Sequence, residues 1–333
     1  MPAPSDFFKG RSALITGGLG FIGSNLARRL VACGAKVLLV DSLVPEYGGN
    51  LFNIADIADR ADLVKVNISD VRDRFSLKVL VQGQDFIFNL AGQTSHLDSM
   101  EDPETDLAIN CAAQLSILET CRKHCPGVKL VFASTRQIYG KPNYLPVDEE
   151  HPLNPVDVNG INKMAAEFYH TLYSNVHGLK ACVLRLTNTI GPRMRVRDAR
   201  QTFVGVWIRQ LLEGRPIEVW EGQQLRDFTY VEDVVDAMLA AALSEQADGK
   251  VFNLGGDPPI SLRDLAAMMI ELNGAGEFSV RTFPAERKKI DIGDYYSDFT
   301  RIRTTLGWEP RTPLREALAH TLEFYRKNLA RYV

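Results

Sequence analysis

The sequence predicts an α/β fold built on a Rossmann-type, doubly wound parallel sheet with a smaller C-terminal lobe. Apolar, β-branched runs of strand length alternate with amphipathic stretches of helix length through the first half of the chain. After residue 188 this alternation loosens into loops rich in Arg, Gly and Pro. We therefore predict a first domain over residues 1–187 and a lobe mainly over 188–333, with some segments returning to the first domain.

The predicted elements follow one another in chain order. Strands are expected at 12–17, 36–41, 62–67, 85–92, 129–134 and 181–188, and helices between them at 22–33, 104–124 and 160–177. The lobe is expected to contain a helix near 201–213, a strand at 217–220 and a closing amphipathic helix. Buried strands that alternate with helices indicate βαβ units and a parallel sheet.

Composition excludes several classes of protein. The chain has 333 residues, 45% of them hydrophobic, and a net charge of −3, so we expect no general attraction to nucleic acid or to anionic membranes. No apolar run approaches the roughly 20 residues that span a bilayer, and the first residues lack the pattern of a secretory signal. The five cysteines are an odd, scattered set, which favours reduced thiols and a cytoplasmic location.

Metal binding is not expected. Cys121, His124 and Cys125 lie close together on a predicted helix, but no second pair of ligands accompanies them elsewhere in the sequence. We interpret them as ordinary helix residues.

A glycine-rich turn joins the first predicted strand to the first predicted helix. Gly17, Gly20 and Gly23 recur at every third residue there, and such glycines let backbone N–H groups and a helix N-terminus approach a pyrophosphate. The second predicted strand ends in Asp41, whose carboxylate can hold a ribose 2′-hydroxyl and would repel a 2′-phosphate. No Arg or Lys directly follows Asp41. The pattern predicts a dinucleotide site that prefers NAD over NADP.

Seven segments spread along the chain carry a specific resemblance. They read TGGLGFIGSNL, LAGQTSHLDS, NCAAQLSILETC, ASTRQIYG, RLTNTIGPRM, RDFTYVEDVVDA and LGWEP. With these segments the chain resembles extended short-chain dehydrogenases/reductases, in the group of NAD-dependent nucleotide-sugar epimerases, dehydratases and decarboxylases. The resemblance implies that further residues contact the cofactor, namely Phe21, Ile22, Asn67, Ile68, Leu90, Ala91, Gly92 and Lys163.

The resemblance also implies a catalytic set, and one member departs from the family pattern. In this group a Ser or Thr, a Tyr and a Lys four residues after the Tyr act on a sugar hydroxyl, and the Tyr phenolate removes the proton. Thr135 and Lys163 match the first and the last of these residues. Asn159 occupies the Tyr position, with Gly160 and Lys163 in register. An amide does not ionise near neutral pH and transfers no proton usefully.

Three interpretations of Asn159 are open. In the first, another group acts as the base, and the candidates are His96, Tyr139 and Tyr144; histidine titrates near neutrality, and segments similar to the one around His96 line the sugar pocket in the family. In the second, turnover is slow and proceeds without an efficient base. In the third, the protein binds NAD and a nucleotide-sugar but catalyses nothing. We favour the first, because the residues around Asn159 otherwise resemble those of a working site.

Two positions narrow the expected reaction. Dehydratases of the family carry an Asp-Glu pair directly after the catalytic Thr, and UDP-glucuronate decarboxylases usually keep a Glu at the second of these positions. Here the residues are Arg136 and Gln137, and neither serves as a general acid or base. We therefore expect an epimerase or dehydrogenase that oxidises a sugar hydroxyl at carbon 4, with a UDP-sugar or uronate as substrate. A UDP-glucuronate decarboxylase-like enzyme is the weaker alternative.

The second half of the chain is expected to bind the substrate. The resemblance implies that Asn188, Arg193, Arg226 and Arg287 contact a nucleotide-diphosphate sugar, since arginines hold diphosphates with bidentate geometry.

A homodimer is also expected. Residues Leu107, Cys111, Leu115, Leu118, Met164, Phe168 and Leu172 give two predicted helices apolar faces at helical spacing. In enzymes that the chain resembles, two such helices from each subunit form a four-helix contact with twofold symmetry.

Overall fold

Seven parallel strands form the centre of the computed structural model, which describes residues 4–44, 46–256, 258–284, 288 and 290–333. They are β1 (Ser12–Thr16), β2 (Lys36–Asp41), β3 (Val64–Ile68), β4 (Phe86–Asn89), β5 (Lys129–Thr135), β6 (Lys180–Leu186) and β11 (Val251–Asn253). Their order across the sheet is β11-β6-β5-β4-β1-β2-β3, and each pairing is parallel. The predicted fold class is confirmed.

Both faces of the sheet are buried, which explains the continuous apolar character of its strands. Successive residues of β1 point to opposite faces. Ile15 belongs to one hydrophobic core together with Leu39, whereas Leu14 belongs to the core on the other face together with Val40.

Helices cover the two faces of the sheet and build the second half of the chain. Their bounds are α1 (Pro4–Phe8), α2 (Phe21–Ala32), α3 (Arg74–Leu80), α4 (His96–Glu101), α5 (Pro103–Leu107), α6 (Ala113–His124), α7 (Val158–His177), α8 (Phe203–Leu212), α9 (Val231–Leu243), α10 (Leu262–Asn273), α11 (Thr300–Leu306) and α12 (Leu314–Asn328). Helices α2 and α9 pack together beside one core, and α3, α6 and α7 pack beside the other. No helix in the described part of the chain has both the length and the apolar character needed to cross a bilayer.

The helix expected over 104–124 is interrupted. It consists of α5, a π-helical turn (Ala108–Ala112) and α6. The turn contains Asn110, whose Nδ2 donates to the backbone oxygen of Gln93, 2.9 Å away, just beyond the end of β4. Such π turns often mark functional sites, and this one lies beside the cleft described below.

Part of the second half of the chain packs around a separate hydrophobic core, to which α8, α10, α12 and Phe21 of α2 contribute, whereas α9 and α11 contribute to a core of the large sheet. Short strand pairs hold the second half together: β7 (Asn188–Ile190) with β10 (Phe228–Tyr230), β8 (Ile217–Trp220) with β13 (Phe278–Arg281), and β9 (Leu225–Arg226) with β12 (Ile260–Ser261). The strand expected over 181–188 therefore divides at Thr187 into β6 and β7. Strand β11 comes from this half of the chain but completes the large sheet beside β6.

Candidate active site

A cleft opens at the carboxyl ends of the parallel strands, where ligands bind in doubly wound folds. Sequence-predicted residues that line it are Gly17, Gly20, Phe21, Ile22, Gly23, Asp41, Leu90, Ala91, Gly92, His96, Thr135, Asn159, Lys163 and Asn188. Asn67, Ile68, Arg193 and Arg226 are not among the residues that line it, and Arg287 lies outside the described residues. The cleft thus brings the predicted cofactor turn and the predicted catalytic residues into one space.

The glycine turn after β1 requires glycine. Gly17 has a φ of 68°, in the left-handed region that favours glycine. A Cβ on Gly23 would lie only 2.2 Å from the carbonyl oxygen of Gly17, so any side chain there would push the turn and α2 apart. Helix α2 begins at this turn with no side chain capping its first N–H groups, which leaves them available to an anion. The turn therefore fits the pyrophosphate of NAD.

Asp41 is held rigidly at the end of β2. Its carboxylate oxygens accept hydrogen bonds from the backbone N–H groups of Leu19, at 3.0 Å, and Leu43, at 2.9 Å. Burial raises the pKa of this carboxyl, although the two backbone bonds oppose that effect. Each oxygen keeps a lone pair for a ribose hydroxyl, so the geometry fits the role that the sequence predicts.

The residues after β3 that line the cleft lie slightly C-terminal to the predicted ones. Ser69, Asp70 and Val71 line it, while the side chain of Ile68 is largely exposed. Asn67 accepts a hydrogen bond from the Ser69 hydroxyl at 2.6 Å and so orients this loop. The cofactor contacts expected at Asn67 and Ile68 stay a prediction.

Thr135 and Lys163 face the same part of the cleft. Thr135 ends β5, and Lys163 lies in the second turn of α7 with its Nζ 3.3 Å from the backbone oxygen of Ala133. Burial lowers the Lys163 pKa to about 8, although Asp106 and Glu167 act in the opposite direction. Lys163 therefore loses its proton at a lower pH than a surface lysine does.

Asn159 lies in the first turn of α7, and its amide group is directed into the protein. Its Nδ2 donates to the backbone oxygen of Gln93 at 2.8 Å and to the Asp106 carboxylate at 3.1 Å. The same buried carboxylate accepts from Asn110 at 2.9 Å and from Asn162 at 2.8 Å. Both amide hydrogens of Asn159 are thus used in a buried network of asparagines around Asp106.

The three base candidates lie in different environments. His96 begins α4 and lines the cleft, with its Nδ1 3.0 Å from the Asp157 carboxylate. Tyr139 is fully buried, donates to Asn253 and accepts from Arg185, both at 2.6 Å, and burial raises its pKa. Tyr144 is exposed and donates to Asp148 at 2.7 Å. Of these candidates, only His96 lines the cleft.

Asn188 is the predicted substrate residue that reaches the cleft. Its Oδ1 accepts from Arg136 Nη2 at 3.1 Å, and its Nδ2 donates to the backbone oxygen of Asp227 at 3.1 Å. Arg136 and Gln137 also line the cleft. No carboxylic acid directly follows Thr135 in the chain.

The guanidinium groups of Arg193 and Arg226 bind other parts of the protein. Arg193 donates to the Asn25 side chain at 2.7 Å. Arg226 donates to the backbone oxygens of Leu225 and Gly293, and burial lowers its pKa to about 10. Their predicted contacts with a substrate stay predictions.

Several residues of the cleft were not identified from the sequence. Gln93 and Ser134 line it, and their Oε1 and Oγ atoms are buried without a hydrogen-bond partner among the described residues; polar atoms left in this way are typical of a site that a polar ligand completes. Asp106 and Asp157, which do not line the cleft but contact Asn159 and His96, were also not predicted. An Asp shortly before a predicted helix is a capping signal, and Asp157 lies three residues before the helix predicted over 160–177.

Comparisons with known proteins agree with this geometry. The model of the NAD dependent epimerase/dehydratase family matches residues 13–255. A UDP-glucose 4-epimerase from Mycolicibacterium smegmatis is 33% identical over 94% of this chain and 98% of its own. UDP-glucuronic acid decarboxylase 1 from Xenopus tropicalis is 32% identical over 95% of this chain and 72% of its own.

A similar structure has also been solved. The UDP-glucose 4-epimerase of Thermotoga maritima, crystallised with UDP-glucose, matches with a TM-score of 0.87 and 30% identity over 96% of this chain and 99% of that one. The extended short-chain dehydrogenase/reductase resemblance is thereby confirmed. The chain is a member of the NAD-dependent epimerase/dehydratase family.

Proposed function

We propose that this protein is an NAD-dependent nucleotide-sugar epimerase that oxidises and then re-reduces a ring carbon, most plainly carbon 4 of a UDP-sugar. The observation that carries the proposal is the single cleft in which the glycine turn and Asp41 meet Thr135, Lys163 and His96. Similar proteins with UDP-glucose 4-epimerase activity, one of them crystallised with UDP-glucose, support the choice of reaction and nucleotide.

Different residues of this chain would bind the cofactor and orient the sugar in such a reaction. The glycine turn and the start of α2 would hold the pyrophosphate, and Asp41 would hold a ribose hydroxyl. When bound, NAD supplies an oxidised nicotinamide that accepts a hydride from a carbon bearing a hydroxyl and later returns it. Thr135 would orient that hydroxyl by hydrogen bonding. Lys163 would place a positive charge beside it and favour its ionised form.

The residues after Thr135 favour epimerisation over the family's other reactions. Gln137 Nε2 donates to Asp157 at 2.8 Å, and Arg136 donates to Asn188. Neither side chain supplies the carboxylic acid that elimination of water requires at this position in the dehydratases that the chain resembles. A UDP-glucuronate decarboxylase-like reaction is less favoured for the same reason, because those enzymes usually keep a Glu at the position of Gln137.

A second candidate function follows from Asn159. Because an amide replaces the proton carrier, the protein could instead bind NAD and a nucleotide-sugar without turning the sugar over. The two functions give opposite results when purified protein loaded with NAD is offered a panel of UDP-hexoses and UDP-uronates. An epimerase interconverts one pair, as seen by NMR of the sugar, and shows the absorbance of reduced nicotinamide during turnover. A binding protein binds NAD more tightly when the nucleotide-sugar is present but forms no product.

We further propose a homodimer formed through α7. Ile161, Phe168, Leu172 and Val176 form one stripe along this helix, and each side chain is 49–63% exposed. An exposed apolar stripe of this kind favours an interface with a second copy of the chain. Leu107 on α5 is exposed as well. Of the other residues predicted for this face, Leu118 is buried in a core and Met164 is partly buried against another.

Light scattering tests the dimer. A mass near twice the 37.1 kDa of one chain is expected, and Leu172→Glu should shift it to one chain, because the interface would have to bury an unpaired charge. Lys180→Glu, at an exposed position beyond the end of α7, is the matched control. A wild-type mass of one chain at micromolar concentration would rule the dimer out.

A further inference from the structure

His96 and Asp157 form a pair whose geometry resembles that of a histidine oriented by a carboxylate. His96 begins α4, and Asp157 directly precedes α7. His96 Nδ1 is buried without an aligned hydrogen bond to any described residue, and the polar atom beside it is Asp157 Oδ2, 3.0 Å away. The Asp157 side chain is fully buried, whereas 39% of the His96 side chain is exposed. One nitrogen of the ring therefore faces the protein interior.

Asp157 is fixed in place and kept ionised. Its Oδ1 accepts from the backbone N–H of Gly160 at 2.7 Å, which caps α7. Its Oδ2 accepts from Gln137 Nε2 at 2.8 Å. Burial alone would raise the pKa of Asp157, but the contact with His96 and these hydrogen bonds outweigh burial and lower it. A fixed carboxylate of this kind acts only as an acceptor.

The carboxylate favours a hydrogen on the ring nitrogen that lies beside it. Because Asp157 only accepts, its carboxylate favours the neutral imidazole that carries its hydrogen on Nδ1 and its lone pair on Nε2. Nε2 makes no hydrogen bond to any described residue and is not buried. His96 lines the cleft together with Thr135 and Lys163. The basic nitrogen thus belongs to a side chain that lines the cleft in which a sugar hydroxyl would lie.

We propose that His96 replaces the missing tyrosine as the proton acceptor and that Asp157 is the residue that positions it. The inference rests on the proposed epimerase function. In the oxidation step, the hydroxyl O–H bond breaks and its proton goes to Nε2, while the C–H bond breaks and its hydride goes to the oxidised nicotinamide, leaving a C=O group. In the return step, the proton on Nε2 and the hydride are both given back, so there is no net oxidation.

A second anion on α4, Asp98, is already paired with a cation. Asp98, on the same helix, binds Arg200 from the loop before α8 at 2.7 Å. Arg200 also binds Asp198 at 3.1 Å. Lys163 also lines the cleft. Asp157 forms no ion pair with Lys or Arg among the described residues, and its carboxylate contacts the ring.

Kinetics of His96→Gln and Asp157→Asn test the proposal. Loss of a general base lowers the rate of sugar oxidation by roughly 10²–10⁴-fold, so His96→Gln should lose kcat in this range with little change in KM. Asp157→Asn keeps the side-chain oxygen that caps α7, since Asn caps helices as well as Asp does. It should lower kcat less than His96→Gln does, because the base is still present but is no longer oriented by a carboxylate. His124→Gln, at an exposed position on α6, is the control and should match wild type.

A second measurement does not depend on activity. The ¹⁵N NMR shifts of His96 in NAD-free protein report which nitrogen carries the proton. The Nδ1–H form is expected in wild type, and a shift towards Nε2–H is expected in Asp157→Asn. An Nε2–H form in wild type would overturn the role of Asp157, and an active His96→Gln protein would overturn the role of His96. A wild-type protein that turns over no sugar would instead overturn the proposed function, and the base role with it, whatever the NMR shows.

Discussion

Replacing Asn159 with Ala tests whether this residue acts through the buried network rather than through chemistry. The change removes two hydrogen bonds. The bond to the Gln93 backbone oxygen, 2.8 Å long, has a neutral acceptor and contributes about 1 kcal/mol, whereas the bond to the Asp106 carboxylate, 3.1 Å long, contributes about 1.5–3 kcal/mol. Asp106 keeps Asn110 and Asn162 as donors, which limits further loss. The free energy of unfolding should therefore fall by about 2.5–4 kcal/mol.

Urea unfolding of the NAD-free protein, followed by circular dichroism, measures this loss. Asn162→Ala is the matched comparison, because it removes one bond of 2.8 Å to the same carboxylate and should cost about 1.5–3 kcal/mol. A loss below about 1 kcal/mol for Asn159→Ala would refute the reasoning. Since both amide hydrogens of Asn159 point into the protein, the folded Asn159→Ala enzyme should also keep far more turnover than His96→Gln.

Three further predictions follow from the cleft and the core. Gly23→Ala should weaken NAD binding, measured by calorimetry, by about tenfold or more, because the new Cβ would clash with the Gly17 carbonyl oxygen. Gly127→Ala is the control and should bind NAD normally, because the space around its new Cβ is open. Asp41→Ala should narrow the preference for NAD over NADP in the same assay, and tighter binding of NADP than NAD by wild type would contradict the role of Asp41. His170 is buried against Phe132, and burial lowers its pKa to about 4. Because the pKa of His170 is lower in the folded than in the unfolded state, its contribution to the free energy of unfolding is fully present above about pH 6.5. That contribution is lost as the pH falls towards about 4. Between these pH values the free energy of unfolding of wild type should fall by about 3 kcal/mol more than that of His170→Leu, as measured by denaturant unfolding at each pH. Equal losses in the two proteins would exclude His170 as a source of acid sensitivity.

The sheet and the glycine turn could be predicted because their signals are local. The alternation of apolar runs with amphipathic stretches indicates buried parallel strands, and the spacing of Gly17, Gly20 and Gly23 needs no knowledge of distant residues. Strand β11 escaped prediction because it has three residues, Val251–Asn253, and its place depends on pairing with β6.

The environment of the catalytic residues could not be predicted, because it depends on contacts between distant parts of the chain. Asn159 and Asp106 are 53 positions apart, and His96 meets Asp157 only when α4 packs against α7. Tyr139 shows the same limit. Its position in the sequence allowed a role as a base, but the fold directs its hydroxyl to Arg185 and Asn253, away from the cleft.

The position of β11 has a consequence for synthesis of the chain. Strand β6 ends at Leu186, and the strand that covers its outer edge ends at Asn253. Translation of the intervening segment takes roughly 3–13 s at about 5–20 residues per second. During that interval β6 presents an unpaired edge of apolar residues, a template for pairing with other chains. The nascent protein should thus depend on chaperones most strongly between these two points of its synthesis, and truncation just before residue 251 should yield a chain that aggregates.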